Sequence, residues 1–211
     1  MSYALLVLAY LIGALPSSYV IGKVFHGIDL REHGSGNLGA TNAFRVLGVK
    51  SAAPVVILDV AKGFVPAWFF AGAAGLGFSW TLAFGAAAIV GHMFSVWVRF
   101  KGGKGMATSA GVFLGLAPWA VLGGLVVWCV LTFSTGYVSL GSMGAAIVMP
   151  LLVIVTPHVG GNGLLWFASG LAVVVIWAHR GNVGRLMRGE ENRFGSRGRS
   201  AEATPGPEGD A

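Results

Sequence analysis

Charged residues are scarce in this 211-residue sequence, at 10% of the chain, whereas hydrophobic residues make up 55% of it. Soluble globular domains carry roughly 25% charged residues, so this composition excludes a soluble globular fold. Cysteine is almost absent as well, because Cys129 is the only one and lies inside an apolar run. A single thiol excludes a disulfide and a thiolate metal site within one chain, and it argues against redox chemistry.

The hydrophobic residues form long runs separated by short polar stretches. This pattern is typical of several membrane-spanning helices of about 20 residues and differs from the alternation of barrel strands. The first run begins at Tyr3 without a basic segment or a small-residue cleavage site, which favours a retained span over a signal peptide. We therefore predict an all-α, polytopic membrane bundle over residues 1–195. Residues 196–211, rich in Gly, Pro and charge, are predicted to form a disordered tail.

The 14 lysine and arginine residues indicate which ends of the spans face the cytoplasm. All but Lys62 fall in three clusters, at 23–50, 99–104 and 180–199. The positive-inside rule places these clusters on the cytoplasmic side of the membrane. The first span then runs inward, so we expect an outer N-terminus and a cytoplasmic C-terminus.

The number of spans depends on residues 105–179, which contain no Asp, Glu, Lys or Arg. Cytoplasmic clusters flank this region, so it must cross the membrane an even number of times. We favour four short helices, because Pro118 can end a helix and residues 134–144 are polar and glycine-rich. The total is then seven spans, and the alternative is five spans with long or tilted helices. The predicted spans are 3–22, 51–74, 78–98, 106–117, 119–133, 143–157 and 164–179.

The first polar segment, residues 16–48, combines glycines with uncharged hydrogen-bonding side chains and one central arginine. Interleaved glycines let backbone N–H groups surround an anion, and Arg45 can bind that anion with two parallel hydrogen bonds. The pattern predicts a phosphate-binding loop, and the alternative is a flexible loop with a helix cap at Thr41 or Asn42. The candidate binding residues are Ser35, Asn37, Thr41, Asn42 and Arg45.

The second polar segment is "KGGKG" at 101–105, between two apolar runs. We expect its glycines to expose backbone donors, while Lys104 adds a charge near the positive N-terminal end of the next helix. The spacing is not that of a Walker motif, so we do not predict a nucleoside triphosphatase. The alternative is a cationic anchor that only sets topology, but such an anchor would not need three glycines.

The third polar segment, residues 177–195, places His179, Asn182 and Arg185 at three-residue spacing, on one side of a helix end. A histidine there suits proton transfer or hydrogen bonding to phosphate, and Glu190 can pair with a nearby arginine. The alternative for this basic region is binding of anionic lipid head groups.

Asp59 and Lys62 lie three residues apart within a predicted span, so they can pair on one face of the helix. We expect a structural role for this pair, because an ion pair in a membrane helix is more often support than chemistry. Asp59 is also the only acidic residue in a predicted span, so no catalytic metal is expected.

Four stretches of the sequence together resemble the bacterial membrane-bound acyl-phosphate:glycerol-3-phosphate acyltransferases. They are "GSGNLGATNAFRVLG", "DVAKG", "GHMFSVWVRFKGGKGMAT" and "HRGNVGRLMRGEENRFG". The resemblance implies transfer of a fatty acyl group from acyl phosphate to the sn-1 hydroxyl of glycerol 3-phosphate. The products would be lysophosphatidic acid and inorganic phosphate, in the first step of phospholipid synthesis. It also implies seven spans in a bacterial cytoplasmic (inner) membrane, with the active site at the cytoplasmic face.

The resemblance assigns roles to particular positions of this sequence. Catalytic roles are implied for Ser35, Arg45, His179 and Asn182. Substrate binding is implied for Gly102, Gly103, Lys104, Gly105 and Ser142, and it is expected from the loop pattern alone for Asn37, Thr41 and Asn42. Structural support is expected from Asp59, Lys62 and Glu190. Gly181 departs from the family pattern, because a charged or polar residue is common at that position.

Acyl phosphate is an activated mixed anhydride, so the enzyme has mainly to hold two anions together and orient the attacking hydroxyl. As a hypothesis, Arg45 and Lys104 offset the phosphate charges. Ser35, Asn182 and His179 would hydrogen-bond the reacting groups. The hydroxyl proton passes either to the leaving phosphate or to His179 as a general base.

Transport of phosphorylated solutes is a competing function. Permeases bind their substrates near the bilayer midplane, however, whereas the cationic segments here lie at helix ends on one side. A protein that only gathers anionic lipid is a third possibility, but it would not need the uncharged polar residues of the first and third polar segments. The expected partners are acyl phosphate, glycerol 3-phosphate, membrane lipid and a soluble acyl-carrier-protein:phosphate transacylase. No cofactor, metal or nucleic acid is expected.

Overall fold

The computed structural model describes residues 1–194, and the regular elements in that range are helices. The predicted all-α fold is therefore confirmed for the described residues, and the predicted tail at 196–211 lies outside them. The helices are α1 (Ser2–Ala14), α2 (Ser17–His26), α3 (Ala40–Leu47), α4 (Val49–Val65), α5 (Ala71–Ala73), α6 (Phe78–Met93), α7 (Met106–Leu116), α8 (Pro118–Thr135), α9 (Val138–Val155), α10 (Gly161–Ala178) and α11 (Arg180–Met187).

Five helical stretches are long and apolar enough to cross a membrane. They are Val49–Ala73, Phe78–Val98, Pro118–Thr135, Val138–Val155 and Gly161–Ala178. A sixth crossing results if α1 and α2, which meet at a bend of 42°, are counted as one span. The remaining apolar helix, α7, has 11 residues and extends through about 16 Å of a roughly 30 Å hydrocarbon core. The described helices thus do not confirm seven spans, and that number stays a prediction.

The first predicted span, 3–22, is wrong as a single helix. Helix α1 ends at Ala14 and α2 begins at Ser17, with Leu15 in an extended conformation between them. Pro16 causes this break, because it lacks an N–H group and disfavours helical geometry at the preceding residue.

The predicted glycine-rich break at 134–144 is also mostly wrong. The chain leaves the helix only at Gly136 and Tyr137, and α9 begins at Val138. Gly136 ends α8 in a left-handed conformation, with φ at 79°. Gly141, by contrast, lies inside α9, where a Cβ would overlap with Thr132 on α8. This glycine lets two helices approach each other and does not interrupt either one.

Close contacts at small residues also hold the other main helix pairs together. Helix α1 packs along α6, and α4 packs along α7. A Cβ at Gly13 would overlap with the backbone of Ala88, and one at Gly111 would overlap with the carbonyl oxygen of Val60. Membrane helices associate through such small-residue interfaces, because lipid supplies no hydrophobic force between them.

The first polar segment is anchored to the bundle by its apolar residues. Leu30 and Leu38 are buried and pack with α3 and α4 in one hydrophobic cluster. Helix α3 begins after Gly39 without a side-chain cap, so neither Thr41 nor Asn42 caps it. The alternative of a flexible, capped loop therefore does not describe this segment.

The α4–α7 contact gives a stability prediction. We expect Gly111→Ala to lower the free energy of unfolding by about 1 to 3 kcal/mol, because the added methyl overlaps with the Val60 carbonyl. Gly170→Ala is the matched control, since nothing lies within 4 Å of a Cβ there. The control should be neutral or slightly stabilising. Thermal unfolding in detergent, followed by circular dichroism, measures both, and equal midpoints for the two variants would contradict the packing role.

Candidate active site

A cavity of about 610 Å³ lies among α3, α4 and α6 to α11, with His92 as the lining residue from α6. Residues from the first, second and third polar segments line it together, although they are far apart in sequence. Its lining on α9 runs from Ser139 to Met149, which corresponds to about 15 Å along the helix axis. The three cationic segments therefore lie on one side of the bundle.

The two ends of this cavity differ in chemistry. The polar end is lined by Ser35, Asn37, Thr41, Asn42, Arg45, Lys104, Gly105, Ser139, Ser142, His179, Asn182, Arg185 and Glu191. The apolar end is lined by residues that include Phe113, Leu114, Val121, Leu125, Met149, Leu171 and Val175. Of the predicted catalytic and substrate-binding residues, all except Gly102 and Gly103 line the cavity.

Asn42 organises the first polar segment from inside. Its amide donates to the carbonyl oxygens of Leu30, at 3.1 Å, and His33, at 3.0 Å, and its oxygen accepts the Ser35 N–H at 2.9 Å. The side chain is 1% exposed. Both of its N–H donors are thus used within the loop. Asn42 thus shapes the loop that presents Ser35, and its predicted substrate-binding role stays a prediction.

Gly102 and Gly103 pack against the end of α6 and do not offer free donors. Their N–H groups donate to the carbonyl oxygens of Met93 and His92, each at 3.1 Å. A Cβ at either glycine would overlap with His92. The prediction that these two glycines expose backbone donors to an anion is therefore wrong, because both donors have partners in the protein. Gly105, with φ at 82°, instead precedes α7 and does line the cavity.

Lys104 and Arg45 both line the cavity, and neither forms an ion pair with a carboxylate among residues 1–194. The Lys104 ammonium donates to the side-chain oxygen of Asn182. Burial lowers the pKa of the Lys104 ammonium to about 8, so it is still mostly charged at neutral pH. Two half-buried cations without a carboxylate partner among residues 1–194 make this end of the cavity a site for an anion.

His179 lies between α10 and α11 and is 3% exposed. Its Nδ1 is 2.8 Å from the carbonyl oxygen of Val175, and a carbonyl can only accept, so Nδ1 carries the proton. Burial, together with the nearby charge of Lys104, lowers the pKa of His179 to about 4. The ring is therefore neutral at pH 7 and has Nε2 as a hydrogen-bond acceptor.

Glu191 is the acidic centre of the polar end. Its carboxylate accepts hydrogen bonds from Asn182 at 2.6 Å, Ser139 at 2.9 Å and Arg185 at 2.8 Å. Burial acts to raise the pKa of Glu191, but these hydrogen bonds and the charge of Arg185 outweigh it. The pKa lies below its ordinary value of 4.5. Glu191 thus joins α9 and α11 through one carboxylate.

The sequence matches the family described as "Glycerol-3-phosphate acyltransferase" over residues 3–189. This chain belongs to that family. It is 43% identical over 192 residues to the glycerol-3-phosphate acyltransferase of Fusobacterium nucleatum, covering 91% of this chain and 97% of the relative. The acyltransferase is also 46% identical over 189 residues to the corresponding protein of Trichlorobacter lovleyi, covering 88% and 94%.

The acyltransferase is similar to solved structures of PlsY, an integral membrane glycerol 3-phosphate acyltransferase. The glycerol 3-phosphate form has a TM-score of 0.85 and 39% identity, covering 92% of this chain and 96% of that chain. The lysophosphatidic acid form has a TM-score of 0.82 and 38% identity, covering 92% and 95%. These likenesses confirm the predicted family, the enzyme class and a multi-pass membrane fold.

The acyltransferase places Glu191 in its cavity and leaves Glu190 outside. Glu190 pairs with Arg188 at 2.7 Å, and both of these side chains are more than half exposed. The predicted pairing of Glu190 with a nearby arginine is therefore confirmed, whereas Glu191 is the glutamate that lines the cavity. Sequence reasoning also missed Ser139, because neighbouring glutamates and scattered serines carry no signal of which one faces inward.

The Asp59–Lys62 pair forms as the spacing predicts, with 2.8 Å between the Lys62 ammonium and the Asp59 carboxylate. Both side chains are buried, and the Lys62 ammonium also donates to the Leu15 carbonyl at 2.9 Å. The lysine thus ties α4 to the end of α1. Partnering on both sides offsets the cost of placing charges among apolar helices.

Glu191 gives a prediction with a neighbouring control. We expect Glu191→Gln to lower the free energy of unfolding at pH 7 by about 1.5 to 3 kcal/mol, because Arg185 then loses its charged acceptor. Glu190→Gln should change it by less than about 0.5 kcal/mol, since that pair is exposed. Thermal unfolding in detergent measures the difference.

The same comparison has a defined pH dependence. The folded-state pKa of Glu191 is lowered, so its stabilisation is present above the unfolded pKa and is lost as pH falls through the folded value. The gap between wild type and Glu191→Gln should therefore shrink below pH 4.5, the ordinary value. A gap that widens on acidification would show that another group dominates.

Proposed function

We propose that this acyltransferase transfers a fatty acyl group from acyl phosphate to the sn-1 hydroxyl of glycerol 3-phosphate. The products are lysophosphatidic acid and inorganic phosphate, and the reaction begins phospholipid synthesis. One observation carries the proposal: a single cavity, whose lining extends about 15 Å along α9, joins a cationic, polar end to an apolar end. Such a cavity can hold a phosphate and an acyl chain at the same time.

The polar end suits two phosphate-bearing substrates. It contains the cations Arg45, Lys104 and Arg185, and Glu191 is the acidic residue that pairs with Arg185. The excess positive charge offsets the phosphate charges of glycerol 3-phosphate and acyl phosphate. The similar PlsY structures support this choice, because their two forms are described by glycerol 3-phosphate and lysophosphatidic acid, a substrate and a product of the proposed reaction.

The apolar end suits the acyl chain. Gly124, Ala145 and Ala168 line it alongside the larger apolar residues, so there is room between helices for an extended hydrocarbon. Each methylene that leaves water contributes about 0.8 kcal/mol, which makes the chain the main source of donor affinity.

The chemistry requires positioning more than activation. The hydroxyl oxygen of glycerol 3-phosphate attacks the acyl carbonyl carbon, and the bond from that carbon to the phosphate oxygen breaks. Lys104 and Arg45 offset the charges of the glycerol 3-phosphate and of the departing phosphate. Ser35 and Asn182 are placed to hydrogen-bond the reacting groups.

The hydroxyl proton passes to the leaving phosphate in this proposal. A phosphate group has a second pKa near about 6, whereas burial lowers the pKa of His179 to about 4, so phosphate is the stronger base. His179 Nε2 then accepts a hydrogen bond from the hydroxyl and orients it. In the competing proposal, His179 takes the proton itself as a general base.

We also propose a bacterial cytoplasmic (inner) membrane location, with the N-terminus outside and the C-terminus in the cytoplasm. The three cationic segments support it, because they line one cavity and the positive-inside rule places them in the cytoplasm. A cytoplasmic cavity gives access to glycerol 3-phosphate and to a soluble transacylase that would supply acyl phosphate.

The reaction itself is tested with purified protein, acyl phosphate and glycerol 3-phosphate, following phosphate and lysophosphatidic acid together. We expect both products in equal amounts. Lys104→Ala should lower kcat/KM for glycerol 3-phosphate by about 100-fold or more, because loss of a buried charge-assisted contact costs about 3 kcal/mol. Lys101→Ala is the control, since Lys101 is exposed and does not line the cavity. Folded wild-type protein that forms neither product would overturn the proposal.

The proton acceptor is tested by the pH–rate profile of His179→Ala. If phosphate accepts the proton, the variant should be slower at every pH and keep the acidic limb of the wild type. If His179 is the base, the wild-type rate should fall as pH approaches about 4, where the ring becomes protonated, and this limb should disappear in the variant. Loss of that limb would contradict the phosphate mechanism.

A further inference from the structure

Three buried polar residues, Asp59, Lys62 and His92, form a cluster beside the second polar segment, and Asp59 and His92 also line the cavity. The Lys62 ammonium is 2.8 Å from the Asp59 carboxylate, and Nδ1 of His92 is 3.9 Å from the same carboxylate oxygen. None of these residues is more than 6% exposed. A charged group this deeply buried in a membrane protein is costly unless it serves the structure or the function.

The imidazole of His92 lies directly against the backbone of Gly103. A Cβ on Gly103 would overlap with Nε2 of His92, so this glycine is required for the contact. The carbonyl oxygen of His92 also accepts the Gly103 N–H at 3.1 Å. The ring and the backbone of one residue therefore contact the residue immediately before Lys104.

The cluster also connects the elements that surround the cavity. Lys62 donates to the Leu15 carbonyl at the end of α1, at 2.9 Å. On the other side, the Gly102 carbonyl accepts a long hydrogen bond of 3.5 Å from Asn37 in the first polar segment. The second polar segment thus packs against His92, and Asn37 joins it to the first polar segment by a hydrogen bond.

We propose that His92 is a positioning residue that holds Gly103 in place and thereby aims the Lys104 ammonium at the cavity. This inference rests on the proposed function, in which Lys104 binds a substrate phosphate. His92 also lines the cavity, but its Nε2 lies against Gly103 and its Nδ1 is 3.9 Å from Asp59, so we assign the ring to the backbone that it contacts. The imidazole acts through the backbone that it supports.

A size exchange between the two residues tests the proposal. Gly103→Ala adds a methyl group that overlaps with the His92 ring, and His92→Ala removes the ring. We expect each single variant to weaken glycerol 3-phosphate binding about tenfold or more, because the Lys104 ammonium shifts out of position. The double variant should recover to within a few-fold of wild type, because the new methyl fills the space that the ring vacates.

Calorimetric binding of glycerol 3-phosphate gives the dissociation constants without needing the acyl donor, and steady-state kinetics gives KM and kcat. A positioning role predicts that KM for glycerol 3-phosphate changes more than kcat. Thermal midpoints of all variants separate this effect from unfolding. If His92→Ala does not fold, His92→Asn in the same exchange removes enough of the ring to carry the test.

The outcomes separate this inference from the proposed function. Recovery in the double variant, with Kd closer to wild type than in either single variant, supports the contact as the positioning element. Effects that multiply, so that the double variant is worse than both single variants, overturn it while wild-type binding remains normal. Wild-type protein that does not bind glycerol 3-phosphate would instead overturn the proposed substrate.

Discussion

A buried charge in this bundle requires a partner, because neither lipid nor packed helices can solvate it. Two ion pairs meet that requirement inside the protein, Asp59 with Lys62 and Glu191 with Arg185. Lys104 and Arg45 have no carboxylate partner within residues 1–194, and they face one cavity. Because these two cations lack a carboxylate partner in that part of the chain, the cavity favours a bound anion. The proposed acyl transfer depends on this anion site.

Glycine has two different uses in this fold. Within helices, Gly13, Gly111 and Gly141 allow neighbouring helices to come into close contact. The van der Waals contacts that result stabilise packing in lipid, where no hydrophobic force acts between helices. At the second polar segment, Gly102 and Gly103 let the backbone pack against the end of α6 and hydrogen-bond to it. A bound anion would therefore contact mainly side chains and the N-terminus of α7. The glycines determine the positions of these groups.

The cavity combines these two features into a reaction site. Helices held close by glycine contacts leave an apolar run beside α9, and the cationic segments meet at one end of it. A donor with a phosphate head and a hydrocarbon tail matches both ends. Because acyl phosphate is already activated, a site that offers charge, orientation and exclusion of water can perform the transfer without a strong base.

Composition and the order of charges were sufficient to predict a helical membrane protein, whereas its family was predicted from the resemblance of four stretches of sequence. These are local properties, since hydrophobic runs and the polar segments between them are read directly from the chain. Only the tertiary structure decided that Glu191 and not Glu190 enters the cavity, and that α1 ends before Pro16. It also decided that the N–H donors of Asn42 bind carbonyl oxygens within its own loop. Those outcomes depend on which groups from distant helices arrive beside each residue, and a hydrogen-bond donor is available to a ligand only if no such group has already taken it.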